Sequence, residues 1–134
     1  MNRRSATALA CLLALALQAC AVAPSGPEPE PIEIRGLVML NRSGATLSEV
    51  ILLVVQTGEF ISCGNISRRG QCSTTFPLRR YQGNDVEIRW SEGGQAWSSG
   101  AFRIEGDETL DLSRPAVVRV VITPAGKAVT DLVQ

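Results

Sequence analysis

The chain contains no histidine, and Lys127 is the only lysine among its 134 residues. Without an imidazole no Ser-His-Asp or Cys-His arrangement can be assembled, and the usual neutral-pH base and metal ligand is missing. The common hydrolytic machineries are excluded before any motif is sought. Neither sign of charge is in excess: 13 basic and 13 acidic residues cancel over the full length. Setting aside Arg3 and Arg4 leaves 11 basic against 13 acidic residues, a net −2, so there is no electrostatic footprint for nucleic acid. No apolar run approaches the ~20 residues that a spanning helix needs. From Ile32 onward helical periodicity is absent as well.

What is present begins with a positive start, Met1-Asn2-Arg3-Arg4, followed by the almost wholly apolar stretch Ala6–Leu17 and then small residues. This three-part plan is that of a secretory signal. The run ends in Leu17-Gln18-Ala19-Cys20, which resembles the lipobox of bacterial lipoproteins. The resemblance implies a signal peptide over residues 1–19 and a mature chain that starts at Cys20. Its thiol would carry a diacylglyceryl group, and a further acyl chain such as palmitate would join it. The implied partner is then a membrane, held stably because two or more chains share one residue. Ala21 after the cysteine implies sorting to the outer membrane, facing the periplasm. A secreted protein in which Cys20 is incidental is the alternative.

Residues 20–31 read as a tether. Proline at alternate positions in Pro27-Glu28-Pro29-Glu30-Pro31 denies both helix and sheet pairing and favours extended polyproline geometry. At ~3.1 Å per residue, Ala21–Pro31 spans roughly 34 Å, enough to stand a small domain clear of lipid headgroups.

Residues 32–134 form the domain, and the signals in it are those of strands. Ile32, Ile34, Gly36, Val38 and Leu40 alternate with Glu33, Arg35, Leu37 and Met39, a period of two. Asn41-Arg42-Ser43-Gly44 is a turn. Val50–Val55, apolar at every position, reads as a central strand covered on both faces. The rhythm Ile34-x-Gly36-x-Val38, then Gly44, Leu47 and Val50, is similar to the opening of carboxypeptidase-regulatory-like and transthyretin-like β-sandwich modules. The resemblance implies a sandwich and a scaffolding or spacing role. It brings no site residues, and it fades after Val55, where Glu59-Phe60 leads into a cysteine loop.

Cys63 and Cys72 lie within Phe60–Phe76 and close a ten-residue loop rich in Gly, Asn and Arg. In an oxidising compartment such a pair reads as a disulfide. A two-thiolate metal site and a redox pair are weaker readings: no histidine completes a ligand set, and the spacing is not Cys-x-x-Cys. Asp85–Ile104 is the clearest hairpin, with Gly93-Gly94 supplying the turn. Its register sets Trp90 opposite Trp97 and Glu92 opposite Gln95. A bulge at Ser98-Ser99-Gly100 would return Phe102 and Ile104 to the core, a longer turn being the alternative. Glu105–Asp111 is an acidic connection, Val117–Ile122 a strand, Pro124-Ala125-Gly126 a turn, and Lys127–Val133 a last strand. The expected architecture is therefore an all-β, Ig-like or transthyretin-like antiparallel sandwich of about seven strands.

Two groups of side chains could carry chemistry. Glu105, Asp107, Glu108 and Asp111 offer oxygens for Ca²⁺ or a carboxylate pair, but the spacing is not that of an EF-hand loop and a solvated loop is the plainer reading. Arg68-Arg69 and Arg79-Arg80 could form a basic patch for an anionic envelope component, or could be exposed pairs balancing nearby acids. No catalytic residue, metal ligand or cofactor is assigned. The sequence thus points to a non-enzymatic, lipid-anchored envelope module that binds or scaffolds another envelope protein or an anionic component. The alternatives are a small carboxylate enzyme and a periplasmic ligand-binding domain.

Overall fold

A computed structural model describes Gly26 and residues 30–134, so the lipobox and most of the tether lie outside the described residues. The domain is an all-β sandwich of eight strands in two four-stranded sheets. In chain order they are β1 (Ile32–Asn41), β2 (Leu47–Val54), β3 (Phe60–Ile66), β4 (Gln71–Tyr81), β5 (Val86–Glu92), β6 (Gln95–Phe102), β7 (Ala116–Ile122) and β8 (Ala128–Val133). One sheet runs β4-β1-β7-β8 and the other β3-β2-β5-β6. The eighth strand comes from the segment read as a cysteine loop: both of its arms, β3 and β4, are strands.

The pairing is antiparallel except between β1 and β7, which run parallel in the middle of the first sheet. Parallel neighbours need a long crossover, and here the whole of the second sheet lies between the two strands in sequence. The core between the sheets is filled by Leu37, Met39, Leu47, Val50, Ile88, Trp90, Val120 and Ile122, all essentially inaccessible.

Two irregularities change which side chains reach that core. In β1 the simple alternation breaks at Arg35, where the register shifts between Ile34 and Gly36. Because a one-residue slip moves every following side chain to the other face, Leu37 and Met39 point inward beyond it, while Val38 and Leu40 lie half-buried outside. Gly36 belongs there for a second reason: a Cβ would stand 3.0 Å from the Thr74 carbonyl oxygen of the neighbouring strand. In β2 a bulge at Ser48-Glu49, with Glu49 at φ 52°, lets both Leu47 and Val50 face inward. The all-apolar run Val50–Val55 is not covered on both faces. Ile51 and Leu53 are half-buried on the outer side and Val55 is exposed.

The β5–β6 hairpin follows its sequence closely. Trp90 pairs with Trp97 and Glu92 with Gln95, and the register shifts so that Glu87 faces Ala101 while Arg89 faces Ser98. The extra residue sits at Ser99-Gly100, with Gly100 at φ 70° and Ser99 Oγ accepting the Ile88 N–H at 2.9 Å. Phe102 and Ile104 accordingly pack on the core. The two indoles differ in burial: Trp90 is enclosed, whereas Trp97, on the edge strand, is partly exposed and lies over Gly126 in the β7–β8 turn.

Candidate functional site

The order of the sheets places β3 and β4 on the same side of the sandwich, each as the outer strand of its own sheet. The chain passes from one to the other through Ser67–Gly70, and the Cys63–Cys72 disulfide bridges the two strands close to that turn. Further along, the strands part. Between the start of β3, the β2–β3 turn and the far half of β4 lies a cleft of ≈ 800 Å³ that reaches inward between the sheets. This is within the ~300–1,000 Å³ of typical ligand pockets.

Both sheets supply its walls: Leu52, Ile61 and Val86 from one, Ile34, Phe76 and Val118 from the other. The mouth is polar. The tight turn after β2, closed by Val54 N–H to Glu59 carbonyl and Gly58 N–H to Val54 carbonyl bonds, presents Glu59 and the exposed Phe60. Arg79 faces them from β4, and Arg80 beside it borders the cleft. Arg79 Nη1 lies 3.4 Å from Glu59 Oε2, with both side chains largely exposed. Such a solvated pair contributes little to stability, ~0–1 kcal/mol. Among the described residues Arg80 makes no ion pair. Among the described residues Glu59 is the only carboxylate lining the cleft.

Tyr81 is the last residue of β4. Its hydroxyl donates to the Asn84 carbonyl at 2.7 Å and accepts the Ile104 N–H at 2.8 Å, tying the β4–β5 loop to the segment that leaves β6. Partial burial raises its pKa, opposed by the bond from Ile104. Tyr81→Phe is expected to orphan that N–H and cost about 1–2 kcal/mol. A thermal melt would show a drop of ~4–8 °C per kcal/mol; an unchanged melt would mean the bonds carry no net stability.

The four arginines singled out in the sequence do not come together. Arg68 and Arg69 occupy the turn before β4, and Arg79 and Arg80 its far end, roughly 30 Å away at ~3.3 Å per strand residue. Arg69 is in the left-handed region at φ 60°, and its carbonyl accepts from Arg42. The acidic connection is used locally. Asp107 Oδ1 accepts from the Thr109 N–H and hydroxyl, and Asp111 Oδ1 from those of Ser113. These bonds hold both carboxyls below their usual range. Glu105, Asp107 and Glu108 border a second, smaller pocket of ≈ 590 Å³ together with Glu30, Ile32 and Tyr81. Among the described residues no group of three or more His, Cys, Asp or Glu is placed to hold a metal ion.

Asn41 does begin a turn, its Oδ1 accepting the Ser43 N–H two residues on, but no sign of its further role is present in the sequence. Asn41 is fully buried. The two N–H groups of its Nδ2 are divided among the carbonyls of Ala45 (2.7 Å), Ile66 (3.0 Å) and Ser67 (3.0 Å), one of them shared, and its Oδ1 accepts from the N–H and hydroxyl of Ser43. One side chain thus fastens the β1–β2 corner to the β3–β4 corner, at the closed end of the edge whose other end is the cleft. No local signal marks it, because asparagine is equally at home in an open turn.

Compared with protein-family models, with curated proteins and with solved structures, the chain matches none.

Proposed function

We propose that this chain is a lipid-anchored protein of the cell envelope, held through acyl chains on Cys20 at the outer membrane, and that its sandwich binds or scaffolds another envelope component. The observation that carries the binding half is the cleft between β3 and β4: an apolar, ligand-sized recess with a cationic mouth. A carboxylate enzyme is the weaker reading. It needs two or more acids converging in one cleft, and among the described residues the one acid at this cleft is Glu59, already facing Arg79. The anchoring half rests on the sequence, where a signal, a lipobox and a proline tether precede the domain. The Cys63–Cys72 disulfide supports it, being the kind of staple an oxidising compartment preserves.

Growing cells on an alkyne-tagged fatty acid tests the anchor. The wild-type protein is expected to take up label and to fractionate with membranes, and Cys20→Ser to do neither. Equal label in both would sink the lipoprotein reading.

A further inference from the structure

We infer that the cleft between β3 and β4 binds the hydrocarbon chain of an anionic amphiphile, whose acidic head rests on Arg79 at the mouth, with Arg80 adding positive charge beside it. This deepens the proposal that the sandwich is a binding module and does not depend on acylation of Cys20.

An apolar slot beside two outer strands has two plausible classes of occupant: a peptide strand that extends one of the sheets, or a chain with no backbone to pair. Strand addition needs a regular row of free N–H and C=O groups along the edge. Neither outer strand is regular over its whole length: β4 is interrupted beside the cleft and β3 just beyond it. On β4, Thr75 faces Gly36 and Arg79 faces Ile34, so Phe76-Pro77-Leu78 form an irregular stretch against β1, and Pro77 has no N–H to donate. On β3, Gly64 turns at φ 60°, its N–H is taken by Ser62 Oγ at 3.1 Å, and the register against β2 shifts on both sides of Val50. Interruptions of this kind are how sheet edges are kept from pairing with other chains. The interior between them is nevertheless apolar and open.

The mouth supplies the polar half. Two arginines and one carboxylate border it among the described residues: Arg79, opposite the buried Ile34, leaves β4 on the cleft side, and Arg80, opposite Glu33, leaves on the other face and has no ion-pair partner among the described residues. A guanidinium fork suits a carboxylate or phosphate head, which would also displace the weak, solvated Glu59 pair from Arg79. Phe60, 63% exposed at the lip, would cover the first methylenes of the chain. A free fatty acid and a single-chain phospholipid share this chemistry.

Photo-crosslinking on the full-length protein in its own membranes distinguishes the outcomes. The probes are diazirine-bearing palmitate, a diazirine lysophosphatidylglycerol and a diazirine alkyl trimethylammonium. Peptides covering Ile61 and Phe76 are expected to carry the adduct from one or both anionic probes, the stronger naming the source. The cationic probe should label them at least tenfold less. Arg79→Ser/Arg80→Ser changes only exposed side chains and is expected to cut the anionic label about tenfold. Ile61→Trp, which narrows the slot, should do the same.

The inference is overturned if the anionic and cationic probes label equally, if the arginine variant labels like wild type, or if no adduct reaches these peptides. Displacement of the label by an apolar strand peptide but not by unlabelled palmitate would give the slot to a protein partner and overturn it too. Incorporation at the Cys20 peptide reads out the anchor separately, so failure at one place leaves the other legible.

Discussion

Asn41→Ala is expected to lower the stability of the domain by about 3 kcal/mol, seen as a fall of roughly 15 °C in melting temperature. The substitution leaves the carbonyls of Ala45, Ile66 and Ser67 without the amide that now serves all three, and the Ser43 N–H without its acceptor. A buried polar group stripped of its partner costs its desolvation, ~1–3 kcal/mol, and several lie around this one side chain. Asn41→Asp separates polarity from size. It keeps the shape and the Ser43 bond but turns an oxygen toward three carbonyl oxygens, so it should be at least as damaging as alanine. An aspartate variant that melts like wild type would show that the site needs only volume.

Removing the disulfide with Cys63→Ser/Cys72→Ser is expected to cost roughly 2–3 kcal/mol, the chain-entropy value for a loop of this length. Its position gives a sharper expectation than its magnitude. Cys63 and Cys72 bridge the outer strands of two different sheets, so the loss should appear first as faster amide exchange in β3 and β4. The inner ladders β2–β5 and β1–β7 should keep their protection. Uniform loss of protection would mean that the bridge stabilises the whole sandwich and not this edge. On the unreduced protein, a thiol count should find neither of these two cysteines free.

Much of the fold was legible where local chemistry is strong. Gly93-Gly94 sets the hairpin register, and the mismatch between Trp97 and Phe102 demands an extra residue, which Gly100 accommodates. The β3–β4 pair was hidden for a physical reason. Outer strands expose one face and one edge, so Ser62, Asn65, Gln71, Ser73 and Thr75 are polar where a loop would be polar too. The phase changes at Arg35 and Glu49 were also hidden, since a bulge leaves composition untouched and only tertiary packing decides which parity faces inward. The cleft itself could not be read. Its walls are ordinary core residues, and it exists because β3 and β4 part beyond the disulfide. Of the four arginines, only Arg79 and Arg80 meet it, because most of the length of β4 separates them from Arg68 and Arg69.

The tether joins the domain at β1, and β1 is an inner strand, bonded to β4 on one side and β7 on the other. Under the anchoring proposed at Cys20, tension would therefore enter the sheet lengthwise, along a strand gripped from both sides. The cross-strand hydrogen bonds lie across the direction of pull and share the load together, whereas an outer strand tugged from its end would peel away one bond at a time. A domain suspended in this way can be dragged by whatever it holds and still keep its shape, because the strand that takes the strain is the one hardest to withdraw.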